Sequence, residues 1–401
     1  MKGSRQTPSW PRVSYEAYPW VFHGDISRRQ RQRHRGTYDA AVVPKIAKAR
    51  LALPAALLAE CEDASAAMVR FDAEATAVLG SGELAPLPAV LLRTESAASS
   101  HIEHLTAGAR QLALAELGAP SSRNAEAVSG NVAAMRAALD LADSIDMSTV
   151  LTMHRALMGA DDPHSGRLRE QQVWIGGAAA GPHGAMFVPP HHTRVPAAMK
   201  DLFAFVERTD IPVIAHAALA HAHFETIHPF TDGNGRTGRA LIHAMSRHSG
   251  LTQRMTVPVS AGLLADVDSY FESLTQYRDG KSEAIVRRLI DAVFAALRNA
   301  RALLLDLQSI RSTWTKAIRA RSDSAVWRAI DVVLAQPVID VAYLEASLGV
   351  STTSAQSAID LLVSARLLEP FDARRRRSRV WQADEVLRAL DAFAARAGRR
   401  V

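Results

Sequence analysis

Twelve residues in the middle of the chain, His228 to Arg239, hold one histidine, one aspartate, three glycines, an asparagine and two arginines. Gly233 and Gly235 permit positive φ and close approach of a ligand to the main chain, so successive N–H groups ahead of a helix can form an anion nest. Arg236 and Arg239 are three apart on one helix face and can turn two guanidinium forks to the same polyphosphate, while Asn234 adds a neutral donor. Asp232 would repel such a ligand unless a cation stood between them. Mg2+ is commonly held by one or two carboxylates together with phosphate oxygens, and Asp232 could supply one. His228, with an ordinary pKa of ~6.5, can take the proton of an attacking hydroxyl. A plain interhelical turn has no need of this ordered set. The nearby His216, His221, His223 and His243 contain no pair at the i, i+4 spacing of a helical zinc site, so packing and hydrogen bonding are expected of them.

The elements that must position these residues read mostly as helices, and the fold class is mainly α. Val213 to Ile227 has the pattern of an apolar helix stopped by Pro229, and a second helix is predicted from about Gly235 to His248. Helical spacing also marks Ala197 to Glu207, Leu91 to Glu116, Ser129 to Ala142 and Thr149 to Met158. It marks the stretch from Val43 to about Leu79 as well, behind a polar start expected to fray. Between Gln171 and Pro190 the sequence QQVWIGGAAAGPHGAMFVPP sets two β-prone runs around a glycine-rich turn, which predicts a lone β-hairpin. Its free edge could pair with an extended target segment.

With 401 residues the chain exceeds one comfortable core, and 48% apolar residues are enough to fill two or three. No run approaches the ~18 apolar residues of a membrane span and the first residues lack a signal-peptide core, so a cytoplasmic protein without a membrane partner is expected. Cys61 is the only cysteine, which excludes intramolecular disulfides and cysteine zinc sites and makes redox chemistry a poor fit. The net charge of +6 is concentrated in two runs, Arg28 to Arg35 and Arg374 to Arg379. Turn residues surround the first, which reads as solvated surface.

The loop resembles the signature of the Fic (filamentation induced by cyclic AMP) proteins, H-x-F-x-[D/E]-G-N-G-R-x-x-R. Its fixed positions are matched by His228, Phe230, Asp232, Gly233, Asn234, Gly235, Arg236 and Arg239. The likeness runs from about Tyr38 to Leu297. It implies a helical core that transfers AMP from ATP to a Ser, Thr or Tyr hydroxyl of a target protein and releases pyrophosphate, with Mg2+ as cofactor. His228 would then be the base and Asp232 the metal ligand, with Phe230 a core anchor and Gly233, Asn234, Gly235, Arg236 and Arg239 the triphosphate cradle. Val173, Trp174, Ile175, Gly176, Phe187 and Val188 look like the family's target-docking flap. Upstream, SSHIE from Ser99 to Glu103 resembles the inhibitory helix [S/T]-x-x-x-E-[G/N], in which Glu103 would pair with Arg239 and deny the ATP γ-phosphate its partner. His104 departs from that pattern where Gly or Asn is expected. A left-handed cap at this position would be less comfortable with His than with Gly.

From Ala325 onward, helices at Val326–Leu334, Val341–Leu348 and Thr352–Ala365 precede LLEPFDARRRRSRVWQ, a two-stranded wing in this reading. The order resembles a winged helix-turn-helix. Thr352, Thr353 and Gln356 would head a recognition helix, and Arg374, Arg375, Arg376 and Arg377 would tip the wing, where they could meet DNA phosphates. The expected organisation is therefore a helical N-terminal region (1–90), a core (91–300) with the inhibitory helix near 95–104 and the flap at 171–190, a linker helix (301–324) and a winged-helix domain (325–401). Two function classes follow: an autoinhibited adenylyltransferase, and a DNA-binding regulator using the core as a nucleotide sensor. His228 beside Asp232 favours the first, since a sensor has no use for a base. The same site, with Glu103 positioning a water, could also remove AMP. A homodimer remains open.

Overall fold

The computed structural model describes residues 10–20, 27, 29, 32, 34–80, 87–177, 181–371 and 379–398. In chain order its elements begin with β1 (Ser14–Pro19), β2 (Thr37–Val42), α1 (Ala55–Gly80), α2 (Leu87–Ile102), α3 (Ala109–Glu116), α4 (Arg123–Asp140) and α5 (Met147–Met158). They continue with α6 (Val195–Val206), α7 (Val213–Ile227), α8 (Asn234–His248), α9 (Val259–Leu264), α10 (Val267–Arg278) and α11 (Ser282–Ala317). The remainder is α12 (Val326–Ala335), β3 (Val338–Ile339), α13 (Val341–Leu348), α14 (Thr352–Ser364), β4 (Glu369–Pro370), β5 (Trp381–Gln382) and α15 (Asp384–Gly398). Among the described residues no helix is long and apolar enough to cross a membrane.

Two compact units are built from interleaved segments. One holds residues 1–63, 137–249 and 268–290, the other 64–136, 250–267 and 291–401. This differs from the sequential partition expected above. Four of the five boundaries fall inside α1, α4, α10 and α11, where continuous helical pattern leaves no linker composition to mark them, and the fifth falls at Ser249–Gly250.

In the first unit, β1 and β2 pair antiparallel from Ser14 opposite Val42 to Pro19 opposite Thr37, where a frayed start was expected. The strands are short and polar on one face, which hid the alternation. Tyr38, Ala40 and Val188 form a small apolar cluster there, joined by Tyr18, Trp20 and Trp174. Helix α7 is buried from Ile214 to Ile227 on all its sides, its polar His216, His221, His223, Glu225 and Thr226 included. It packs on α8. The contact is close because residue 238 is glycine: a Cβ there would stand 2.7 Å from Glu225 Oε1 and 2.9 Å from Phe224 Cδ1.

In the second unit α2 is buried along most of its length and carries two charged groups inward. Glu95 accepts the N–H of Ser260 at 2.8 Å and the Ser260 hydroxyl at 2.5 Å. Arg93 donates to Glu116 at 2.6 Å, to Gln336 Oε1 at 2.8 Å and to the Ala335 carbonyl. Gln336 in turn donates to the Ala113 carbonyl at 2.7 Å, and Ala113 and Leu114 share a core cluster with Val338 and Leu387. The C-terminal segment therefore packs on α2 and α3. Its first three helices fall within one residue of the predicted spans, whereas α15 was not predicted. Local signals fix them: Asp340 and Ser351 cap α13 and α14, and Gly349 ends α13 at φ 62°. A small sheet, ordered β3-β5-β4, follows.

Candidate active site

The loop between α7 and α8 is shaped by its own side chains. His228 ends α7 in a left-handed conformation, φ 50° and ψ 62°, with its N–H on the Phe224 carbonyl at 2.8 Å. A non-glycine residue there costs about 1–2 kcal/mol, and the following Pro229 further disfavours a helical φ/ψ at residue 228. Phe230 is fully buried and lies flat on the His154 ring, centroids 3.7 Å apart. His154 accepts the Gly166 N–H on Nδ1 at 2.9 Å, which leaves Nε2 to donate to the Asp232 carbonyl at 3.1 Å. Gly233 takes φ 74° at the cap of α8. Gly235 has no positive φ; it lies in the first helical turn, where its N–H and its neighbours' have no partner within the helix.

Asn234 serves the loop itself. Its Oδ1 accepts the Phe230 N–H at 2.8 Å and its Nδ2 donates to the Phe230 carbonyl at 2.9 Å, so the amide closes the turn. What Asn234 can offer an anion is its main-chain N–H. Arg236 and Arg239 are buried on α8, at 5% and 1% exposure. The Asp232 carboxylate is 70% exposed; Oδ1 takes the Gly233 N–H at 2.7 Å and Oδ2 lies 3.4 Å from Arg236. A carboxylate that open to solvent has room for a hydrated Mg2+ shared with a phosphate chain, so the donor set fits the ion.

The His228 side chain is 19% exposed, with Nδ1 3.9 Å from Glu225 Oε2. Burial, helped by the Arg169 and Arg278 guanidiniums, holds the ring down at about 3, against partial opposition from the Asp232 charge. The imidazole is therefore neutral at physiological pH and ready to accept a proton. The other histidines have structural partners: His216 meets the Phe205 carbonyl, His221 the Tyr270 hydroxyl and His223 the Tyr277 hydroxyl, each at 2.8 Å. Among the described residues no cluster of three or more ligating groups could hold a metal by itself. Cys61 is buried, which pushes its thiol up to about 11, an unreactive state.

The flap is less regular than a hairpin. A single antiparallel bridge joins Ile175 and Phe187, and residues 178–180 lie outside the described residues. Nor does it stand alone. Ala41 of β2 donates to the Val188 carbonyl at 3.0 Å, and Trp174 meets Trp20 edge-on at 5.4 Å, so the segment leans on the β1–β2 sheet. Gly176 takes φ 72° against Met186, and Val173 is half-buried. Phe187 lies under the Arg278 guanidinium, 3.8 Å from its ring centre.

Sequence reasoning missed Arg169. It is 4% exposed and spends its donors on main-chain carbonyls: Nε on His228 at 2.8 Å, Nη1 on Gln171 at 3.0 Å and Nη2 on Pro190 at 2.5 Å. Only its position just ahead of the flap could have drawn notice. In the second unit Ser99 is buried within α2, and Glu103 lies exposed just past that helix's end. His104 donates its N–H to His101 at 2.9 Å and Leu105 to Ser100 at 3.0 Å, the bonding of a Schellman cap, with His104 at φ 62° where glycine is usual. Thr352 and Thr353 are exposed at the start of α14 and Gln356 is half-buried, bonded to Asp360 at 2.8 Å. Arg374, Arg375, Arg376 and Arg377 lie outside the described residues, as does half of the Arg28 to Arg35 run. A cavity of about 410 Å³ opens in this unit between α2 and α15; none of its lining residues comes from the His228 loop.

Residues 144–246 match the Fic/DOC family model, a span that contains His228, Asp232 and both arginines. The protein adenylyltransferase fic-1 of Caenorhabditis elegans is 31% identical over 166 residues, covering 38% of this chain and 30% of that protein. The protein adenylyltransferase Fic of Aedes aegypti is 33% identical over 109 residues, 27% of this chain and 21% of its own length. The chain thus spans less than a third of these relatives. In fold it is similar to a Fic family protein from Desulfovibrio desulfuricans G20, with a TM-score of 0.54 over 83% of this chain and 97% of the other at 21% identity. The helices and loop that carry His228 form a Fic domain.

Proposed function

We infer that the protein transfers AMP from ATP to a hydroxyl side chain of a target protein. The observation that carries this reading is a neutral, half-buried His228 placed four residues ahead of an exposed carboxylate and six ahead of a helix start with two buried arginines. The first-turn N–H groups of α8 and the Arg236 and Arg239 guanidiniums hold the phosphate chain. Asp232 would hold Mg2+, which neutralises phosphate charge when bound. His228 takes the proton of the target hydroxyl as its oxygen bonds to the α-phosphorus. The bond from that phosphorus to the bridging oxygen breaks, and pyrophosphate leaves. Protonated His228 gains from the nearby anion what burial cost it.

The resemblance of SSHIE to an inhibitory helix supports restraint of the site by Glu103 acting on Arg239, and removal of AMP is the same chemistry with water as the acceptor. In the C-terminal segment, capped α13 and α14, the small sheet and the exposed Thr352 and Thr353 support a winged-helix reading and contact with DNA phosphates. The test is labelled ATP with a lysate of the host and mapping of modified residues. Wild type should label proteins, and His228→Ala should lose at least ~100-fold in rate while still binding Mg-ATP. Equal labelling by the two would refute the mechanism.

A further inference from the structure

We propose that Arg169 is the positioning residue of the site: one buried guanidinium locks the main chain of His228 and both feet of the flap into a single body, aligning base and target segment together. The inference rests on the transferase reading above.

Arg169 sits between the Fic loop and the flap, and its bonds reach both. Nε donates to His228 O at 2.8 Å, Nη2 reaches Ile227 O at 3.5 Å, and the Arg169 N–H donates to Pro229 O at 2.9 Å. Three successive carbonyls around the catalytic histidine are thereby held from one residue. The same fork donates through Nη1 to Gln171 O at 3.0 Å, where the flap begins, and through Nη2 to Pro190 O at 2.5 Å, where it ends.

The arrangement has a mechanical logic. His228 is held at φ 50° ahead of a proline, a conformation that persists only when its surroundings over-determine it. A carbonyl fixed by a charged donor supplies that constraint, because bonds to a charged group are roughly twice as strong as neutral ones. Arg169 is 4% exposed and all the acceptors named for its guanidinium are carbonyls, an arrangement that makes geometry rather than charge neutralisation its task. A lysine could not take the place: its three donors leave one nitrogen and cannot span carbonyls on two sides of a planar fork. Among the described residues the flap has one bridge between its strands, so its separation from His228 is set by its feet together with its contacts to β2 and Trp20. A misplacement of about 1 Å between nucleophile and base can cost ~100-fold in rate.

The experiment uses the full chain as wild type and Arg169→Lys. Calorimetry with Mg-ATP counts folded nucleotide sites, initial-rate labelling gives kcat and the KM for ATP, and limited proteolysis reports the flap. Arg169→Lys should bind Mg-ATP with unchanged stoichiometry and affinity, lose at least ~30-fold in kcat with KM within about twofold, and be cut in the flap at least ~10-fold faster. If neither wild type nor Glu103→Gly labels anything, the transferase reading has failed, and the proteolysis comparison still decides the clamp. Should Arg169→Lys not fold, the Arg169 Nε–H in wild type is measured by hydrogen exchange. Protection of ~100-fold or more over free arginine supports the clamp, and exchange at the free rate overturns it. Wild-type kcat in Arg169→Lys, or unchanged flap cleavage, would equally overturn it.

Discussion

Asn234→Ala separates two roles for the same side chain. If the amide's main partner were a phosphate, its removal would leave the nucleotide-free protein as stable as before. The geometry says otherwise. Both polar atoms of the Asn234 amide are bonded to the main chain of Phe230, at 2.8 and 2.9 Å, and both residues are buried, at 3% and 0% exposure. Alanine would leave a buried N–H and a buried C=O without these partners, at about 1–3 kcal/mol each. A sum of about 2–6 kcal/mol corresponds to a melting-point drop of about 4–24 °C for a unit of this size, at roughly 2–4 °C per kcal/mol. The loss should be complete in buffer with neither ATP nor Mg2+, read by circular dichroism or calorimetry. Refolded at low temperature, the variant should still bind nucleotide, more weakly, because the turn that presents the α8 N–H groups has lost its clasp. A nucleotide-free melting point within 1 °C of wild type, with the deficit visible only as lost stabilisation by ATP, would refute the clasp and return the amide to the phosphate.

Burial depresses His221, His223 and His228 to about 3, so the folded state holds them neutral while the unfolded chain titrates near 6.5. Their stabilisation is present above about pH 6.5 and is lost as pH falls toward 3, by up to ~1.4 kcal/mol per pH unit for each. Urea midpoints should therefore fall between pH 7 and 5, and a flat profile would count against three buried neutral histidines. Glu103→Gly should raise self-labelling, and Glu103→Gly with Arg239→Ala should lose the gain; equal labelling by wild type and Glu103→Gly would make SSHIE an ordinary helix end. His104→Gly should stabilise that end by about 1 kcal/mol, since glycine takes φ 62° without strain, and any basal labelling should fall with it. DNA binding by the C-terminal segment should weaken with salt, and neutralising Arg374 to Arg377 should flatten the log–log slope by about 0.9 for each phosphate that those arginines had neutralised. No binding at low salt would turn that segment into a protein-docking surface.

The parts of this molecule legible in sequence are those whose causes are local. Pro229 and Gly233 bracket the His228 loop within a few residues of each other, and Asp340, Gly349 and Ser351 punctuate α13 and α14 on the spot. Arg169 and His154 were invisible because their partners are distant and are backbone atoms. The Arg169 Nε bond spans 59 positions and the His154 bond to Asp232 spans 78. No residue-type pattern encodes an acceptor that every residue possesses. The β1–β2 sheet was missed for another reason: six-residue strands with Glu16 and Asp39 among them carry too little apolar alternation to outweigh a polar start.

These distant contacts explain how a histidine can be both strained and ready. The strain at His228, about 1–2 kcal/mol, is opposed by interactions that need no ligand: the Arg169 bond to its carbonyl, the Asn234 clasp on Phe230 and the His154 ring flat against Phe230. The loop is thus set before nucleotide arrives, and binding has little chain to order. Among the loop's polar groups, the Asn234 amide is already committed to the turn, whereas the Asp232 carboxylate is 70% exposed to solvent. Control of such a site cannot work by ordering the loop. It has to act on what the loop presents, which is why substitutions at Asn234 or Arg169 should lower catalysis whether or not Glu103 is present, while the effect of Glu103 should vanish once Arg239 is gone.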